Sequence, residues 1–177
     1  MALLNSSLLQ QSPGSFQGHG FVGDPQLRHV AQEMGWNKPA EGGRAFRVLV
    51  VHHHLLPVTF REDPVDGRLY SIALDAEAIM RWIVKHRVDV VLHGHMHQPF
   101  YVTITRPETP QAGTPHTFAV FGAGSAGVEA SHLGEPRRNM FATLTFSSEA
   151  VTVTARSVDS ANPSEELWSV RHPVKRD

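Results

Sequence analysis

The chain has 177 residues, 41% of them hydrophobic and 19% charged, with a formal net charge of −1. That suits a single domain over 1–177 with a sizeable core, and offers no basic excess for nucleic acid and no charge block for an electrostatic tail. Cysteine is absent, which excludes disulfides and cysteine-ligated zinc, while histidine stands out at 12 copies against 2 tyrosines.

The opening "MALLNSSLLQQSPGS" lacks a basic stretch and a long apolar core, so it does not read as a secretion signal. No apolar run approaches the roughly 20 residues that span a membrane. A cytoplasmic location away from membranes is the resulting expectation. Residues 2–4, "ALL", suit a short strand before a Ser/Gln/Gly-rich loop. "GDPQLRHVAQEMGW" predicts a helix with Asp24 as cap, Pro25 in the first turn and Gly35 at the end. Leu27, Val30 and Met34 form its apolar stripe.

"FRVLVVHHH", at 46–54, is apolar on both faces, the pattern of a buried parallel strand. After a Pro- and Gly-bearing loop, "DAEAIMRWIVKHR" at 75–87 predicts a helix capped by Asp75, with Ile79, Trp82, Ile83 and His86 on one face. "VDVVLHG" at 88–94 repeats the buried-strand pattern. Strand, helix and strand in this order imply a crossover in a parallel sheet. From residue 99 onward, "FYVTIT", "HTFAVFG", "MFATLTF" and "AVTVTAR" are short strands between turn residues, and an antiparallel section is expected. An edge strand and a polar tail are expected over 163–177.

Both buried strands run into histidines, His52-His53-His54 in one case and His93-Gly94-His95-Met96-His97 in the other. In open α/β sheets ligands bind at the carboxyl ends of the strands, so both clusters fall where a site belongs. In an extended segment His95 and His97 project to one side, and Gly94 allows the chain to bend as it leaves the sheet. Neutral imidazole is a common ligand of transition metals. His19, His29, His86, His116, His132 and His172 stand alone and read as surface or structural residues. Gly122, Gly124 and Gly127 match G-x-G-x-x-G after a strand, but "VEASHLGEP" is a poor helix, so a strand-end turn is expected there.

"VVHHHLLP" and "VDVVLHGHMH", in this order with a helix between, resemble the late motifs of the calcineurin-like metallophosphoesterases. The resemblance covers nearly the whole chain. It implies an α/β fold with mixed sheets, the C-terminal part of an αββα sandwich. It implies a metal-dependent hydrolase of phosphomonoesters or phosphodiesters, a cyclic nucleotide among the candidate small substrates. It assigns His52 and His95 to one metal and His97 to a second, with His53 in reserve for His52 because a one-residue shift at the strand exit would exchange them. The ions would be manganese, iron or zinc, a pair roughly 3.5–4 Å apart in a complete site.

The family's Asp-x-His and Gly-Asn-His motifs have no counterpart here, and "GDPQL" offers only Asp24 as an acidic candidate. Three imidazoles suit a single zinc better than two hard dications that need a bridging acid. The expectation is therefore a poor enzyme in isolation. Its rivals are a non-catalytic metal- or partner-binding remnant and a truncated product without activity of its own. A missing segment would also uncover apolar surface around Val48–Val51 and Val88–Leu92, and self-association is the consequence.

Overall fold

The computed structural model describes residues 1–8, 19–38, 45–57, 72–95, 97, 99–108, 113–129, 133, 138–158 and 164–174. Strand β1 (Ala2–Leu4) precedes helix α1 (Asp24–Glu33), then come β2 (Val48–Val51), α2 (Ala76–Lys85) and β3 (Val90–His93). Five further strands follow: β4 (Pro99–Arg106), β5 (His116–Ala123), β6 (Met140–Phe146), β7 (Ala150–Ser157) and β8 (Glu166–Pro173). The first sheet has the order β1-β2-β3-β5-β4 and the second β6-β7-β8.

Strands β1, β2, β3 and β5 are parallel, and β4 returns antiparallel along β5. The antiparallel section expected from residue 99 is thus interrupted. β5 rejoins the parallel strands because it is apolar on both faces and buries fully only in the sheet interior. Its Phe118 and Val120 face the helices, and Ala119 and Phe121 face the second sheet.

Alternation of side chains along the strands divides the core in two. On one face Leu4, Leu49, Val51 and Val91 pack under Leu27 and Ala31 of α1 and Ile79, Trp82 and Ile83 of α2. On the other, Val48 and Val90 meet Val151 and Val153 of β7. The result is an α/β fold of three layers, helices on a mixed sheet on an antiparallel sheet, as in part of an αββα sandwich. The outer face of the second sheet carries Thr143, Thr145, Thr152, Thr154 and Arg171, with Phe141 exposed beside them.

Two caps differ from the sequence reading. Gly23, at φ 80°, is the N-cap of α1; Asp24 is its first residue and pairs with Arg28 at 3.4 Å on the exposed face. Asp75 stands at the N-cap of α2 but does not cap it with its side chain. Its carboxylate instead accepts hydrogen bonds from the Val22 and Gly23 N–H groups, at 3.1 and 2.7 Å. The starts of the two helices are thereby tied together, and Trp82 Nε1 donates to the Leu27 carbonyl at 3.0 Å.

The expected exposure of Val48–Val51 and Val88–Leu92 is also corrected. β1 covers one side of β2, β5 covers the far side of β3, and Val48, Leu49, Val51, Val88, Val90 and Val91 are buried. Leu3 on the edge strand is instead an exposed large apolar side chain of this sheet, at 65% exposure. No described helix is long and apolar enough to cross a membrane.

Candidate metal centre

Because β2 and β3 are adjacent and parallel, with Val50 opposite Leu92, their following residues leave the sheet side by side. Gly94 N–H donates to the His52 carbonyl at 3.3 Å, which holds the two exits together. The rings of His52, His53 and His95 form a triangle with centroid separations of 5.0, 4.8 and 4.5 Å. One ligand nitrogen from each lies within 4.8 Å of the other two, and this is the group among the described residues that can hold a metal ion.

The donor set fits a tetrahedral transition metal. Two imidazoles bound at about 2.0–2.1 Å keep their ring centroids roughly 5 Å apart, and their nitrogens roughly 3.3 Å apart. His95 Nδ1 and His52 Nε2 face each other at 2.9 Å, a few tenths of an ångström closer than bound donors. All three candidate donors are imidazoles. Burial pushes His53 down to about 4, with His95, His52 and His19 adding repulsion, so at neutral pH the ring is in its metal-binding form. His52 is also lowered, by burial and then by His97. His52 is exposed while His53 is fully buried, so the triangle opens to solvent on the His52 side.

Residues remote in sequence hold His53 in place. Ser6 Oγ lies 2.8 Å from its Nδ1 and accepts its backbone N–H at 3.2 Å. The Gly20 backbone presses on the ring so closely that a Cβ there would come within 2.5 Å of the His53 Cβ. Neither residue was singled out by the sequence. The available signal was weak, a small residue following each of two short segments. His19, solitary in the sequence, is near enough to His53 to depress its protonation.

Behind the triangle lies a second imidazole pair. His54 and His93 meet at a centroid separation of 4.2 Å, with Phe100 against both at 5.8 and 4.6 Å. Burial drives His54 to about 3 and His93 to about 4. Among the described residues, both His93 ring nitrogens are buried and make no well-formed hydrogen bond.

The extended exit expected after β3 does not occur. His95 and His97 adopt left-handed backbone, at φ 72° and 55°, whereas Gly94 does not. Such conformations cost non-glycine residues of order 1–3 kcal/mol and cluster at functional sites. The reversal turns His95 toward His52 and leaves His97 outside the converging triangle, within electrostatic reach of His52. His53, held in reserve in the sequence reading, is inside it. Asp24 is an exposed partner of Arg28, and Asp89 lies at the other end of β3, accepting the Arg47 N–H at 2.9 Å. Neither belongs to the group. His86 Nδ1 lies 3.3 Å from the Trp36 carbonyl, His116 Nε2 lies 2.6 Å from the Val88 carbonyl, and His172 Nδ1 lies 3.3 Å from the Tyr101 hydroxyl. His29 is exposed, and His132 falls outside the described residues. Gly124 takes φ 70° against Met140, and no helix follows it among the described residues, as a strand-end turn requires.

No protein-family model matches the sequence, and no curated protein matches it. Among solved structures the chain is similar to a single mutant of Vps29 from Entamoeba histolytica. That likeness covers 98% of each chain, at 11% identity and a TM-score of 0.32. It is too slight to carry an argument, and the chemistry of the centre rests on its own geometry.

Proposed function

We propose that this chain is a metal-dependent hydrolase domain of the phosphoesterase type, built around one transition-metal ion held by His52, His53 and His95. The observation that carries the reading is the convergence of three imidazoles at the carboxyl ends of two adjacent parallel strands. Zinc is the ion of choice, since three neutral imidazoles form a recurrent catalytic zinc set. A bound dication supplies Lewis acidity toward a phosphoryl oxygen and offsets phosphate charge. The chain's own residues orient the ligands, exclude water behind His53 and leave the His52 side open to a small phosphate ester. The substrate class rests on the resemblance of the His-His and Gly-His-x-His motifs to the metallophosphoesterases. His97 is assigned to the second ion of a paired site, which needs acidic donors from beyond the described residues.

A second reading is favoured by the charge of the ligand set. Among the described residues no carboxylate joins the triangle, so a bridged pair of hard dications lacks its usual support there. On that reading the domain binds a metal but does not turn over substrate. Hydrolysis of bis(p-nitrophenyl) phosphate by zinc- and manganese-loaded protein separates the two. Turnover abolished by His95→Ala supports the hydrolase; zinc binding without turnover supports the binding module. Equal zinc affinity in the parent and in His52→Ala/His95→Ala sinks both.

A further inference from the structure

We propose that Ser6 is the positioning residue of the centre, holding His53 in the tautomer that turns Nε2 toward His52 and His95. The inference rests on the metal-centre reading and deepens it. Imidazole ligands present one nitrogen to the ion and hand the other, as N–H, to an acceptor that fixes the ring. Ser6 Oγ lies 2.8 Å from His53 Nδ1, so Nδ1 is engaged by the hydroxyl, and the ring's other nitrogen, Nε2, is the one assigned to the ion. The same oxygen accepts the His53 backbone N–H at 3.2 Å, which fixes main chain and ring against one atom.

Ser6 is itself fixed. It is 1% exposed, and its carbonyl accepts the Phe21 N–H at 2.8 Å. The strand pairing continues outward from there, with Ser7 bridged to Phe21, Gly20 to Ala73, and His54 to Ile72. Gly20 closes the cage from the other side. Its missing side chain is the space into which His53 packs, and a Cβ there would lie 2.6 Å from the ring's Cγ and 2.9 Å from Nδ1. Rotation of the ring away from Ser6 therefore meets backbone. The buried position of His53 is maintained by two segments more than thirty residues away in sequence.

The test compares the parent chain with Ser6→Ala, using zinc as the probe, and reads His53 directly by nitrogen-15 histidine NMR at pH 7.5. In the metal-free parent, His53 is expected to carry its proton on Nδ1. In Ser6→Ala the proton is expected to redistribute toward Nε2, and zinc affinity to fall by about 10–100-fold, the usual cost of losing an outer hydrogen-bond partner. Ser6→Thr, which keeps the hydroxyl, is expected to retain the parent tautomer. Unchanged tautomer and zinc affinity within twofold in Ser6→Ala would overturn the inference, while leaving the metal centre standing. Should the parent bind no zinc, the metal reading falls, and the tautomer in the metal-free protein still decides whether Ser6 sets the ring.

Discussion

The two ends of the five-stranded sheet handle polar groups in opposite ways. At the amino end each one closes on a neighbour. Asp89 accepts the Arg47 N–H, and the Arg47 guanidinium donates to the His86 carbonyl at 2.7 Å and the Trp36 carbonyl at 3.3 Å. The guanidinium also lies over the Trp36 ring at 5.5 Å. At the carboxyl end imidazoles face imidazoles, from His52 through His53 and His95 to His54 and His93. Packing one potential cation against another gives little to folding. A buried histidine with a carbonyl partner is a structural device; the five histidines at the ends of two strands form a linked cluster, three of whose members can hold a metal ion.

The largest expected effect comes from acid. His53, His54 and His93 have folded values near 4, 3 and 4 against an ordinary 6.5, so the unfolded chain binds more protons below pH 6.5. Stability is complete above that pH and falls toward pH 4, by on the order of 1.4 kcal/mol per pH unit for each group. Circular dichroism at stepped pH should show cooperative unfolding in this window. Equal stability at pH 7.5 and 4.5 would mean that the carboxyl end is open to water.

Removing two ligands is expected to have the next largest effect. His52→Ala/His95→Ala should lower zinc affinity at least about 100-fold in calorimetric titration, as expected when a three-donor set loses two members. At the amino end, Asp89→Ala should leave zinc affinity unchanged while costing roughly 1–3 kcal/mol in urea denaturation, because it strips the acceptor from the part-buried Arg47 N–H. Weakened zinc binding in Asp89→Ala, or a loss of urea stability in His52→Ala/His95→Ala as large as that of Asp89→Ala, would dissolve the contrast between them. The smallest effect tests strain. His95→Gly should gain up to about 1 kcal/mol of stability by relieving the left-handed backbone, while losing zinc affinity.

The parts legible in the sequence were those encoded locally. Helix α2 follows from the spacing of Ile79, Trp82 and Ile83, and β2 and β3 from their unbroken valine runs. Gly94-His95-Met96-His97 pointed at the β3 exit. What remained hidden depended on the backbone or on distant partners. Pattern alone did not reveal that His95 and His97, rather than Gly94, take left-handed conformations, so the pair was read as extended. That His52 and His53 both face the triangle is not legible locally, because Ser6, whose hydroxyl meets His53, lies 47 positions away. The return of β5 to the parallel strands was hidden for a similar reason. Its double-sided apolar pattern was visible, but its neighbour β3 was not.

The distant partners of the histidine triangle also place it in time. Ser6 reaches His53 across 47 residues and His52 reaches His95 across 43, so these contacts form only after long loops have closed. β3 has no neighbour on its far side until β5 arrives. Long-range strand pairing of this kind is slow, and contacts that depend on it are absent from much of the climb to the folding barrier. Zinc should therefore leave the refolding rate nearly unchanged and slow unfolding instead, acting as a latch set after the chain has folded.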